Sequence, residues 1–174
     1  HRGASLHAPE NSMAAFREAD AAGTDYVELD VQRTRDAAIV VIHDGDLMRM
    51  GSDPRKVKDL TLAEIGTIDI GSKRGPQYAG EHVPTLAEVI DYARGKFRIN
   101  IELKYNVPDP QLAAAVVALL RDKQFLDQVV ITSLDHASLQ QVEQLQPGLE
   151  TGLIVTAAVG NVLKTDTDFV SLNS

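Results

Sequence analysis

There is no cysteine in the 174 residues, so disulfides, thiolate metal ligands and a cysteine nucleophile are all excluded. Compartment stays open, because a cysteine-free domain folds in either redox environment. No apolar run approaches the roughly 20 residues needed to span a bilayer. The longest, Leu112 to Leu120, ends at Arg121, Asp122 and Lys123. No secretion-signal pattern is present. The chain starts on His1 rather than methionine, so it is expected to be an excised segment whose targeting information lies elsewhere; localisation is left open. An excess of positive charge is lacking too: 17 basic residues stand against 25 acidic ones, a net charge of −8. Such a surface repels phosphate backbones and anionic lipids at long range, which argues against a nucleic-acid partner but leaves room for a local basic phosphate site.

What is present reads as a globular α/β domain. A hydrophobic content of 44% with 24% charged residues suits a folded core rather than a disordered chain. SMAAFREADAAG predicts a helix over about Ser12–Ala22, with Asn11 as N-cap and Gly23 as the stop. YVELDVQRT alternates strictly, placing Glu28, Asp30 and Gln32 on one strand face and Val27, Leu29 and Val31 on the other. IVVIHD is a second strand whose continuous apolar run predicts burial on both faces. Gly45–Glu81 is polar and rich in turn residues, an expected loop or small insertion with one capping-box signal, Thr61 to Glu64. Beyond it, TLAEVIDYARG, Pro110–Gln124 and HASLQQVEQLQ predict helices, and FRINIELK, VVITSL, GLIV and DFVSLN predict strands. The alternation points to a parallel sheet, with no internal repeat or low-complexity linker.

The charged residues of this pattern fall at strand ends, where a closed β/α barrel carries its chemistry. Glu28 and Asp30 share one strand face, as do Glu102 and Lys104 in NIELK. His43 closes IVVIHD, and His1 would close a strand preceding the chain. Three carboxylates in one mouth repel by about 4 kcal/mol per pair at 4 Å and an effective dielectric near 20, so some protonate or a cation joins them. An all-oxygen donor set favours magnesium or calcium over zinc. Each piece alone has a plainer explanation: a solvated strand face for Glu28 and Asp30, an ion pair for Lys104, a structural histidine at 43 and a helix cap at Asn11. His7, His82 and His136 read as structural or exposed.

Taken in order, HRG, PEN, ELDVQRT, VVIHD, VPTLAEV and NIELK resemble the glycerophosphodiester phosphodiesterase family, in register from His1 to about Lys104 and more loosely through VVITSLD. Each motif is weak; six in this order are specific. The resemblance implies a distorted (β/α)8 TIM-type barrel that hydrolyses glycerophosphodiesters to sn-glycerol 3-phosphate and an alcohol, using one divalent cation. On that basis Glu28, Asp30 and Glu102 match the metal carboxylates, His1 and His43 the catalytic histidines, and Arg2 and Lys104 the phosphate contacts. Glu10 and Asn11 lie in the Pro-Glu-Asn segment that shapes the site. His1 is assigned as base and His43 as acid, with the reverse left open. Water and the glycerol's own hydroxyl both remain as nucleophile.

Three departures qualify the resemblance. The turn Arg35-Asp36-Ala37-Ala38 stands where the family usually has Asp-Gly, which penalises Ala37 if the turn needs positive φ. The chain begins on His1 without the strand that should hold it, and it stops at SLNS before the family's closing strands. The expectation is therefore a single, partial barrel domain over residues 1–174, with 45–81 as an insertion and the first and last strands missing. Its open edges would be completed by a longer chain or another copy, and whether the segment is active by itself is left open. Two alternatives are carried: a phospholipase C- or D-like enzyme on intact lipids, which needs an apolar rim that Gly45–Glu81 does not supply, and a non-catalytic barrel remnant that binds metal or phosphate.

Overall fold

The computed structural model describes residues 1–155 and 167–172. In chain order the regular elements are α1 (Met13–Ala21), β1 (Tyr26–Arg33), β2 (Ile39–Val41), β3 (Asp46–Leu47), α2 (Met48–Gly51), β4 (Asp53–Lys56), α3 (Leu62–Ile65), α4 (Leu86–Ala93), β5 (Arg98–Leu103), α5 (Leu112–Asp122), β6 (Val129–Ser133), α6 (His136–Leu145), β7 (Thr151–Val155) and β8 (Phe169–Leu172). The last strand matches the expected DFVSLN over Phe169–Leu172; Asp168 lies just before it, and Asn173 lies outside the described residues.

Six strands form one sheet in the order β2-β1-β5-β6-β7-β8. From β1 to β8 every neighbour is parallel. Among the described residues the sheet stays open, with β2 and β8 as its edges. Val27, Leu29 and Val31 of β1, Ile99, Ile101 and Leu103 of β5, and Val129 and Ile131 of β6 point into the main core. They meet Leu86, Val89 and Ile90 of α4, Val116, Val117 and Leu120 of α5, and Leu139 and Val142 of α6. Because strand side chains alternate, Glu28, Asp30, Gln32, Asn100, Glu102 and Thr132 leave on the opposite face. Each buried aliphatic stabilises by about 1.5–3 kcal/mol. A one-residue slip would exchange that set for carboxylates, so the register is firmly specified.

β2 departs from the all-parallel expectation. It ends at Val41 rather than reaching Asp44, and it pairs antiparallel with β1. The connection is too short for a parallel crossover, which takes a dozen or more residues. The turn closes through Ala37 N–H to Thr34 O (3.0 Å) and Thr34 N–H to Ala38 O (2.9 Å). It holds Ala37 at φ 66°, so the penalty anticipated for a non-glycine residue there is present. Burial on both faces does hold: Val41 joins the main core, and Val40 joins a second one.

That second core belongs to the Gly45–Glu81 segment, where Leu47, Val57, Leu60, Ile65, Ile68 and Ile70 pack with Val40, Ile42 and Val83. Strands β3 and β4 form a separate antiparallel pair within it. The capping box at Thr61 and Glu64 is formed, as is a second at Thr85 and Glu88 that starts α4. The N-cap of α1 is a correction: Ser12, not Asn11, caps the helix, its Oγ accepting from Ala15 N–H at 3.2 Å. Asn11 sits one residue earlier in a left-handed turn at φ 52°, a conformation its short polar side chain tolerates. Its amide is thereby free to reach β1. No helix among the described residues is long and apolar enough to cross a membrane.

Candidate active site

The β1–β5 ladder sets Glu28 beside Asn100 and Asp30 beside Glu102, and β6 adds Thr132 next to Glu102. Carboxylate oxygens of Glu28, Asp30 and Glu102 lie within 4.8 Å of one another. Asp30 is fully buried, and Glu102 is 8% exposed. Among the described residues, Glu28 Oε1 and Asp30 Oδ1 are buried without a hydrogen-bond partner. Burial, then the charge on Asp30, pushes the Glu28 carboxyl up to about 7. Burial also raises Glu102, although Lys104 pulls the other way. Orphaned buried oxygens on two of three crowded acids fit a divalent cation, which would satisfy the lone pairs and relieve the repulsion together.

Two basic side chains stand against these acids. Lys104 Nζ is 2.7 Å from Glu102 Oε1 and 3.6 Å from Asp30 Oδ1. Arg2 Nε is 3.3 Å from Asp30 Oδ2, while its Nη1 donates to Glu10 Oε1 at 3.0 Å. The backbone N–H of Arg2 donates to Glu28 Oε2 at 2.7 Å, so the first residues of the chain grip the acidic strand directly. Gly3 makes this approach possible. It adopts φ 72°, and a Cβ there would stand 2.8 Å from that of Ala15. Arg2 itself is left-handed at φ 54°. Arg2 there costs roughly 1–3 kcal/mol of backbone strain beside the cluster, whereas Asn11 tolerates the same conformation. Asn11 Nδ2 donates to Asp30 Oδ2 at 2.8 Å.

His43 follows β2 and is fixed from several sides. Its Nδ1 lies 2.7 Å from Asp44 Oδ1. Its carbonyl accepts from Gln32 Nε2 at 3.1 Å and Asn106 Nδ2 at 2.7 Å. Gln32 Nε2 also donates to Ile42 O at 3.0 Å and Asp44 O at 2.8 Å, gathering the whole turn. His1 is far more open: its side chain is 67% exposed, with Nε2 3.7 Å from Glu28 Oε2. Both histidines line one cavity of about 290 Å³, together with Arg2, Glu28, Asn100, Glu102 and Lys104. Thus all seven residues expected to bind metal, phosphate or protons gather at one place, except that Asp30 lies beneath the lining; Glu10 and Asn11 touch it through Arg2 and Asp30. His7, His82 and His136 do not line it.

Sequence reasoning did not single out Gln32, Asp44 or Asn100. Gln32 and Asn100 each stand two residues from a selected acid, hence on the same strand face, and that spacing was the available signal. Asn100 Oδ1 accepts from Thr132 Oγ1 at 2.8 Å, tying β5 to β6 beside Glu102.

A family model described as the glycerophosphoryl diester phosphodiesterase family matches residues 1–173. The chain belongs to this family. Among its relatives, a glycerophosphodiester phosphodiesterase of Caldanaerobacter subterraneus subsp. tengcongensis is 41% identical over 156 residues, covering 88% of this chain and 64% of that protein. A glycerophosphodiester phosphodiesterase of Bacillus subtilis is 37% identical over 171 residues, covering 90% of this chain and 58% of that protein. The solved structure of an Oleispira antarctica phosphodiesterase, in complex with the product sn-glycerol-3-phosphate, superposes with a TM-score of 0.90 at 30% identity, covering 99% of this chain and 72% of that one. This family member spans less than two thirds of the curated relatives' length, 64% and 58% in these two cases.

Proposed function

We propose that the protein hydrolyses glycerophosphodiesters to sn-glycerol 3-phosphate and an alcohol, and that the described cavity is its active site. The observation that carries this is the convergence of three carboxylates within 4.8 Å on a cavity that two histidines also line. Family membership and the product-bound neighbour support the choice of substrate. In this reading residues 1–174 form one barrel domain with 45–81 inserted in it, and the edges at β2 and β8 are where further strands or a second copy would complete the barrel.

Glu28, Asp30 and Glu102 would hold the cation, magnesium or calcium by the hardness of the donors. When bound, it would supply Lewis-acid stabilisation of charge on the phosphoryl oxygens. Arg2 and Lys104 bind the phosphodiester anion and stabilise the negative charge that grows on its equatorial oxygens. His1, open to the cavity, removes the proton from the nucleophile, and His43 in its protonated form, with Nδ1 on Asp44, gives a proton from Nε2 to the departing alkoxide. With water as nucleophile this yields glycerol 3-phosphate directly; with the glycerol's own hydroxyl it yields a cyclic phosphate that a water then opens. Glu10 and Asn11 hold Arg2 and Asp30 in place.

The test is release of glycerol 3-phosphate from glycerophosphocholine by the full chain. Activity should disappear with a chelator, return with added cation, and be lost in His1→Ala and His43→Ala. Undiminished hydrolysis in either histidine variant removes the mechanism. A reading on intact lipids has one foothold: Leu134 is 53% exposed and lines the cavity. Faster hydrolysis of phosphatidylcholine vesicles than of glycerophosphocholine would favour it. Binding of glycerol phosphate without any turnover would favour a non-catalytic role.

A further inference from the structure

Arg49 lies on α2, inside the Gly45–Glu81 segment and outside the six motifs HRG, PEN, ELDVQRT, VVIHD, VPTLAEV and NIELK. Its guanidinium nevertheless reaches back to the cavity wall. Nε donates to Asp44 Oδ2 at 2.7 Å, and Nη1 and Nη2 donate to Glu10 Oε2 and Oε1 at 2.9 and 2.7 Å. The other oxygen of Asp44 holds His43 Nδ1. A continuous run of charge-assisted bonds therefore links Glu10, Arg49, Asp44 and His43. Lys73 Nζ fixes the base of Arg49 by donating to the carbonyls of Met48 (2.8 Å) and Arg49 (3.0 Å).

We propose that Arg49 is a positioning residue: anchored by Glu10, it locks Asp44, and through Asp44 the ring of His43. This inference rests on the phosphodiesterase reading above. An ionised carboxylate only accepts, so Asp44 keeps a hydrogen on Nδ1 in the neutral ring and in the imidazolium alike, and turns Nε2, the atom that carries the proton to be given, towards the cavity. Unrestrained, Asp44 has an exposed side and could rotate from the ring. Arg49 removes that freedom by occupying its second oxygen. The planar fork serves two carboxylates at once, which a lysine, a single charged point, does not reproduce. Both carboxylates respond accordingly. Burial pushes Asp44 and Glu10 up, but their bonds to Arg49, with further help from His43 and Arg2 respectively, outweigh it and hold both below the usual range. The inserted unit thereby contributes to the site without lining the central cavity.

The experiment compares wild type, Arg49→Gln, Arg49→Lys, Asp44→Asn and the Asp44→Asn/Arg49→Gln double variant in the full chain with divalent cation present. Glycerophosphocholine turnover is measured alongside the ¹H–¹⁵N spectrum of the His43 ring. Arg49→Gln should lower kcat about 10- to 100-fold while KM moves less than about threefold, as expected when a reacting group is misplaced but substrate contacts survive. Arg49→Lys should restore only a minor part. In the Asp44→Asn background, Arg49→Gln should add almost nothing, because its route to His43 is already cut. In its neutral form the ring should change from a single Nδ1–H tautomer to a mixture in Arg49→Gln. Wild-type kcat in both Arg49 variants, or full additivity in the double variant, overturns the inference. If Arg49→Gln does not fold, Arg49→Lys carries the comparison. Absence of any wild-type turnover instead defeats the functional reading, and the tautomer spectra then still decide whether Arg49 orients His43.

Discussion

Asp30 and Glu102 face each other directly across the β1–β5 ladder, two largely buried carboxylates in register on adjacent parallel strands. Like charges placed opposite one another destabilise a sheet. Lys104, in contact with both, offsets part of the repulsion, and Arg2 approaches Asp30 from the other side. The unpaired oxygens that remain make the fold responsive to a cation.

The first consequence is thermal. A divalent ion at 100 times its Kd should stabilise the protein by about 2.7 kcal/mol, raising Tm by about 5–10 °C for a domain of this size. A melt in chelator, then in calcium or magnesium, checks it. Asp30→Asn should abolish the shift; an undiminished shift in that variant would place the ion elsewhere.

Acidity acts on the same cluster in the opposite sense from most acid unfolding. In chelator, Glu28 is pushed from 4.5 to about 7 on folding. The folded state therefore holds its proton longer than the unfolded one. The stabilisation is complete below pH 4.5 and is lost as pH rises through about 7, a decline of about 3 kcal/mol. Urea titrations from pH 4.5 to 8 should show this slope in wild type and a flatter one in Glu28→Gln. Equal slopes would contradict it.

Ala37 gives a prediction independent of function. It is exposed and left-handed at φ 66°, so Ala37→Gly should stabilise by about 1 kcal/mol and raise Tm by about 2–4 °C. Turnover should be unchanged. A fall in Tm would mean that the turn does not hold this conformation in solution.

Asp69 organises the loop that carries Lys73. Its carboxylate accepts from the N–H groups of Gly71, Ser72 and Gly80 and from Ser72 Oγ. Those donors, the Ser72 hydroxyl first, hold its carboxyl well below the usual carboxylate range. Its stabilising effect is thus present above the ordinary value of 3.8 and disappears as pH falls through the lowered one. Asp69→Ala should speed hydrogen exchange at the Gly71, Ser72 and Gly80 amides while leaving β1 and β5 amides unchanged. Uniform acceleration across the chain would point to global destabilisation instead.

Much of the site was legible because extended backbone has a fixed period of two. YVELDVQRT and NIELK alone determine that Glu28 shares a face with Asp30, and Glu102 with Lys104. The capping boxes at Thr61 and Thr85 were likewise written locally, since a side chain and a backbone group three residues apart meet in any helix start. Strand neighbours are a different matter. Ladder hydrogen bonds are nearly the same for any partner and register, so no local pattern says that Asp30 stands beside Glu102; burial of Leu29, Ile101 and their neighbours under the helices decides it. The same holds for the choice of Ser12 over Asn11 as cap and for Arg49 reaching Asp44 and Glu10 from the Gly45–Glu81 segment, whereas the antiparallel direction of β2 follows from its short connection to β1 and was available in the sequence. Residues and their faces were fixed by chain geometry; their meeting was fixed by which apolar surfaces had to be removed from water.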